Sequence, residues 1–137
     1  MNQELIHYIF VYGTLKPGFI NKYSDILANN SVVLGNGTIS GKLYLIKYHD
    51  NEEFPAAVKD GSNLIHGVVL KITDLNIISI IDEYESYYPK NEKDSLFLRK
   101  PEEIQLYDGN SINAWVYWYN KIIINEELIK DGNYIIN

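Results

Sequence analysis

Glu85 is the side chain in this sequence best suited to move a proton. It follows Ile81 by four residues and Ile78 by seven, a spacing that puts all three on one face of a helix. A carboxyl on an apolar face is desolvated, which disfavours its charged form and raises its pKa. Such a group can accept a proton at neutral pH and return it, as general acid–base catalysis requires. Asp82 lies close to the same face and is the rival, whereas Glu83 points away towards solvent. Asp82-Glu83-Tyr84-Glu85 also reads as an ordinary acidic helix end. An anion there meets the negative end of the helix dipole, so a carboxylate at this position needs a reason.

A second candidate is the loop Gly13-Thr14-Leu15-Lys16-Pro17-Gly18, which follows the apolar run from Ile6 to Tyr12. Backbone N–H groups in such a loop can hold an anion or the oxygen of a polarised carbonyl. Gly13 permits close approach of a ligand to the main chain, and Thr14 adds a hydroxyl. A plain turn between two elements would look the same. The loop is not a phosphate-binding G-x-x-x-x-G-K-[ST] motif, because Phe19 follows Gly18.

Other chemistries find little support. There are no cysteines, so disulfides, thiolate–metal sites and thiol nucleophiles are excluded. His7, His49 and His66 lack metal-ligand spacing, and no metal site is expected. No serine sits in G-x-S-x-G. Arg99, the sole arginine, is expected in a structural ion pair with Asp82 or Glu85, with a free surface cation as the other reading. Trp115, Tyr117 and Tyr119 alternate on one face of a strand, where Tyr117 could line a pocket.

The elements that must position these residues are short. Ile6 to Tyr12 reads as a buried strand, and Tyr23 to Ala28 as a short helix. Val32 to Lys47, broken by Gly35, Gly37 and Gly41, reads as bent or bulged strands. Phe54 to Val58 and Leu64 to Ile72 read as strands on either side of Lys59-Asp60-Gly61-Ser62. Thr73 or Asp74 would cap a helix running to Tyr84 or Glu85, buried on more than one side because Ile77 and Ile80 leave the Ile78–Ile81 face. Residues 86–94 form a polar loop. Leu96 to Tyr107 and Ile112 to Tyr119 flank Asp108-Gly109-Asn110, a hairpin signal. The expected architecture is α+β, a closed or nearly closed barrel with the 74–85 helix packed on it.

At 137 residues and 46% hydrophobic content the chain fits one compact domain, residues 1–137. Its net charge of −6, with basic residues scattered singly, argues against nucleic acid as a partner. No segment resembles a signal peptide or approaches ~18 consecutive apolar residues, so a soluble, cytoplasmic protein with no membrane partner is expected.

The motifs taken together resemble those of the gamma-glutamyl cyclotransferase-like family. Phe10 to Gly18 is similar to that family's V-Y-G-T-L-K-x-G opening, and Asn21 fits the loop of its gamma-glutamylamine cyclotransferases. Phe54-Pro55-Ala56 is similar to an aromatic-Pro-Ala segment, and His66-Gly67-Val68-Val69 to the strand before the helix. Ile81 to Ser86 resembles L-D-x-[FY]-E-[GS], whose final Glu maps to Glu85. Ala114-Trp115-Val116-Tyr117 resembles the late A-x-V-Y strand, and Gly132-Asn133-Tyr134 a closing G-D-W. Phe97-Leu98-Arg99 departs from the family's Tyr-x-Arg by one hydroxyl.

The resemblance implies a small mixed β-barrel with flanking short helices. It implies cleavage of a gamma-glutamyl amide by the substrate's own α-amine, giving 5-oxoproline and a free amine, without metal or cofactor. Glu85 would be the acid–base residue, and Tyr12, Gly13, Thr14, Leu15 and Tyr117 would bind the small-molecule substrate. Gamma-glutamylamines are favoured over glutathione. The alternative is a non-catalytic member that binds a small ligand or a protein through the same pocket.

Overall fold

A computed structural model describes residues 5–47 and 52–135. His49 and both ends of the expected 1–137 domain lie outside the described residues.

The first strand, β1 (Tyr8–Val11), buries Ile9, Phe10 and Val11, as its unbroken apolar character requires. Helix α1 (Lys22–Asn29) follows, then β2 (Ser31–Ser40), β3 (Lys42–Lys47), β4 (Glu53–Val58) and β5 (Leu64–Ile72). A 3-10 turn at Leu75–Ile77 leads into helix α2 (Ile78–Tyr84). Strands β6 (Phe97–Leu106), β7 (Ser111–Tyr119) and the short β8 (Glu127–Leu128) complete the chain.

Five strands close a barrel in the order β1-β5-β2-β6-β7. The seam is parallel, with Ile9 of β1 opposite Trp115 of β7, and the other pairings are antiparallel. The fold is therefore the expected α+β mixed barrel with short helices. Strands β4, β3 and β8 form a separate small sheet, so β4 and β5, neighbours in sequence, belong to different sheets. The register of β2 on β5 shifts between Val33 and Gly35, a bulge where glycine interrupts the apolar run. The β6–β7 hairpin turns at Asp108-Gly109-Asn110, with Gly109 at φ 95°.

Core side chains fall on the two faces of the same strands. Ala114, Val116 and Trp118 of β7 join Phe10, Ile65 and Val69 in one cluster. Trp115, Tyr117 and Tyr119 face the other cluster, with Ile9, Val11, Ile77 and Ile81. Burying an isoleucine side chain contributes about 1.5–3 kcal/mol, so Ile77 and Ile81 anchor the 75–84 segment on the barrel. Ile80 is exposed, so this segment buries one side only, contrary to the reading from sequence. Asp74 is the cap, accepting from the Asn76 N–H at 3.0 Å. Among the described residues no helix is long and apolar enough to cross a membrane.

Candidate active site

Helix α2 stops immediately before Glu85, and the manner of its ending sets where that side chain points. The Tyr87 N–H donates to the Asp82 carbonyl at 2.9 Å and the Ser86 N–H to the Glu83 carbonyl at 3.1 Å. Ser86 sits at φ 51°, the left-handed position that most helix ends give to glycine. This Schellman closure turns the chain away just after Glu85 and leaves its carboxyl in a cavity of about 540 Å³. Tyr12 to Leu15, Phe54, Pro55, Tyr84, Phe97, Tyr117 and Tyr119 share the cavity wall.

Glu85 is only half-buried in exposed surface, because it faces the open cavity, yet protein crowds it on its remaining sides. Crowding governs desolvation, and it pushes the Glu85 carboxyl up from 4.5 to about 8, with the nearby Asp82 charge adding to the effect. Among the described residues no side chain donates a hydrogen bond to the Glu85 carboxyl. The sequence leaves Asp82 and Glu85 as rivals, and the two are differently engaged. Asp82 is buried and fully occupied. The Arg99 guanidinium donates to it through Nε at 2.8 Å and Nη2 at 3.1 Å, and the Tyr117 hydroxyl donates at 2.6 Å. Arg99 thus takes the expected ion pair, with Asp82 as its partner, and packs over the Trp115 ring at 4.3 Å.

The loop after β1 is held from three sides. The Lys16 N–H donates to the Gly13 carbonyl at 3.0 Å, and Asn21 Nδ2 donates to the Thr14 carbonyl at 3.0 Å. Asn21 also caps α1, accepting from the Tyr23 and Ser24 N–H groups. One side chain therefore ties the loop to the helix that follows it. The Lys16 ammonium donates to the Tyr134 carbonyl, and Phe19 stacks on the Tyr134 ring. With both neighbouring carbonyls occupied, the Thr14 and Leu15 N–H groups have no protein acceptor among the described residues.

The structure brings all the expected site residues to this one cavity and refines what each contributes. Tyr12 is buried and its hydroxyl donates to the Tyr117 carbonyl at 2.6 Å. Burial first, and then the Glu85 charge, raises the Tyr12 phenol well above its usual value. The Thr14 hydroxyl is 2.7 Å from the Tyr84 hydroxyl, so it joins the loop to α2 rather than standing free. Tyr117 lines the cavity, and its hydroxyl is taken by Asp82. Gly13 has a constraint the sequence does not reveal. A Cβ there would lie 2.6 Å from Cγ of Pro55, so glycine lets β4 close against the loop. Sequence reasoning misses Tyr84 and Glu53 as lining residues, although Tyr84 stands in the quoted helix motif.

Comparison with known proteins agrees with this architecture. A structure of an AIG2-like protein from Mus musculus superposes with a TM-score of 0.64 at 19% identity, over 87% of this chain and 81% of that one. The solution structure of protein ytfP from Escherichia coli gives 0.58 at 26% identity, over 93% and 96%. A structure described as gamma-glutamyl cyclotransferase gives 0.59 at 15% identity, over 88% and 68%. No functionally curated protein matches in sequence. The model of the family "Gamma-glutamyl cyclotransferase, AIG2-like" matches residues 9–135, and a chain that carries this family's sequence pattern over nearly its whole length, on this barrel, belongs to it.

Proposed function

We propose that the protein cleaves a gamma-glutamyl amide by intramolecular attack, releasing 5-oxoproline and a free amine, with Glu85 as general acid and base. The observation that carries this reading is the Glu85 carboxyl, raised to about 8 in a cavity it shares with the Gly13–Leu15 loop. An ordinary glutamate is too weak a base for an α-ammonium of pKa about 8, whereas a carboxyl matched to it exchanges the proton readily.

In the proposed reaction Glu85 takes a proton from the substrate α-ammonium, and the neutral amine attacks the γ-carbonyl carbon. A new C–N bond forms, and the carbonyl oxygen gains negative charge that the Thr14 and Leu15 N–H groups stabilise. Glu85 returns its proton to the leaving nitrogen as the oxyanion collapses and the original amide bond breaks, and the ring nitrogen then gives up its second proton through Glu85 to the released amine, which departs as an ammonium. Tyr12 and Tyr117 shape the glutamyl pocket. No cofactor is needed, because the nucleophile is tethered to the carbon it attacks.

Glu53 and Glu85 line the cavity, and no Lys or Arg does so among the described residues. That balance supports gamma-glutamylamines over glutathione, whose leaving dipeptide brings a carboxylate. The absence of cysteine fits the cytoplasm as location. The test is a panel of gamma-glutamyl compounds assayed for 5-oxoproline, with gamma-glutamylamines expected to lead. Binding without turnover of any panel member would refute the proposal in favour of a ligand-binding role.

A further inference from the structure

Asp82 is a buried carboxylate held by an ion pair and a phenol. Three donors converge on it: Arg99 Nε at 2.8 Å, Arg99 Nη2 at 3.1 Å and the Tyr117 hydroxyl at 2.6 Å. Its holders come from two different strands, β6 and β7. Behind them, the Tyr12 hydroxyl fixes the Tyr117 carbonyl, and Trp115 and Tyr87 flank the guanidinium at 4.3 and 5.5 Å. A buried ion pair of this kind is weak evidence for stability, since a hydrophobic replacement often does as well. Its location suggests another use. Asp82 in the last turn of α2 and Glu85 at its C-cap are three residues apart, so their side chains share a face.

We propose that Asp82 is a positioning residue for Glu85, its negative charge held in place by Arg99 and Tyr117 so that Glu85 is basic enough to deprotonate an α-ammonium. The inference rests on the acid–base role proposed for Glu85. The other polar groups about Glu85 do not supply this fixed charge. Tyr84 on α2, Tyr12 after β1, and Tyr117 and Tyr119 on β7 are phenols, each with its ionisation pushed up by burial. Glu53 of β4 is exposed at the cavity wall, where solvent screens it. Arg99 holds Asp82 by two hydrogen bonds and does not line the cavity that Glu85 faces. The direct influence of Asp82 is to raise Glu85, after burial itself.

The test is direct titration of the Glu85 side-chain carboxyl by carbon-13 NMR in the ligand-free protein, its signal assigned by its loss in E85Q. D82N is expected to lower the Glu85 midpoint by about one pH unit, the scale of one nearby like charge. The low-pH limb of kcat/KM should move with it. R99K keeps Asp82 and a cation against it, and should leave the Glu85 midpoint at the parent value despite its altered hydrogen bonds. The double variant D82N/R99Q leaves no unpaired buried ion, so it guards against a D82N chain that does not fold, and it too should lower the midpoint. An unmoved Glu85 midpoint in D82N or in the double variant would overturn the proposal, leaving the pair a purely structural strut. The titration uses no substrate, so failure of the catalytic reading shows separately, as normal turnover by E85Q.

Discussion

Replacing Glu85 by Gln should inactivate the enzyme and also stabilise it, and the stabilisation should depend on pH. In the folded chain the Glu85 carboxyl is raised from 4.5 to about 8, by burial first and then by Asp82. Between those values the native state holds a proton that the unfolded state has released. Unfolding free energy therefore falls as pH rises through that window. At about 1.4 kcal/mol per pH unit, the ceiling on this loss by pH 9 is about 5 kcal/mol, and water in the open cavity lowers it. Gln keeps the shape but carries no titrating proton, so E85Q escapes the loss. Urea denaturation of parent and E85Q at pH 5, 7 and 9 measures the difference, with every other group common to both. The advantage of E85Q is expected to grow steadily from pH 5 to pH 9. An advantage that stays constant would mean an ordinary carboxyl at position 85, and would refute the desolvation argument. Turnover of E85Q on the best substrate should fall by ~10²–10⁴-fold, while E83Q on the exposed side of α2 should be nearly silent.

Four further outcomes follow from the geometry. The kcat/KM of the parent should rise with pH and level off above about 8, because Glu85 must be ionised to act as base; a profile flat from pH 6 to 9 would remove it from that role. An N-acetylated gamma-glutamyl substrate should give no 5-oxoproline, since its nitrogen cannot attack; release of N-acetylglutamate would indicate hydrolysis instead. Gly13→Val should weaken both folding, by ~1–3 kcal/mol, and substrate binding, because its side chain meets Pro55 of the cavity wall; a normal melt with normal KM would contradict the packing. Ser86→Gly should raise stability by ~0.5–1 kcal/mol by relieving the left-handed backbone, with melting temperature as the readout.

Local chemistry was legible without coordinates. The apolar run from Ile6 to Tyr12 marked β1, Asp108-Gly109-Asn110 marked the β6–β7 turn, and Thr73 or Asp74 marked the start of the helical segment, which the structure caps with Asp74. These depend on near neighbours in the chain, whose spacing is set by helix and strand geometry. The same spacing placed Glu85 on the inner face of its helix, and ordered motifs pointed to the family that residues 9–135 match. What depends on residues far apart in sequence was decided only by the tertiary structure. Helical periodicity brings Asp82 and Glu85 to one side but cannot say which is neutralised. Arg99 and Tyr117, seventeen and thirty-five residues further on, engage Asp82 and leave Glu85 to the cavity. The parallel β1–β7 seam is likewise invisible in either strand alone, and so is the departure of β4 into a second sheet. That departure brings Pro55 against Gly13, turning a glycine expected to admit a ligand into one that also admits a neighbouring strand. Sequence patterns encode which face a side chain takes, whereas charge, desolvation and close contact depend on what the fold places opposite it.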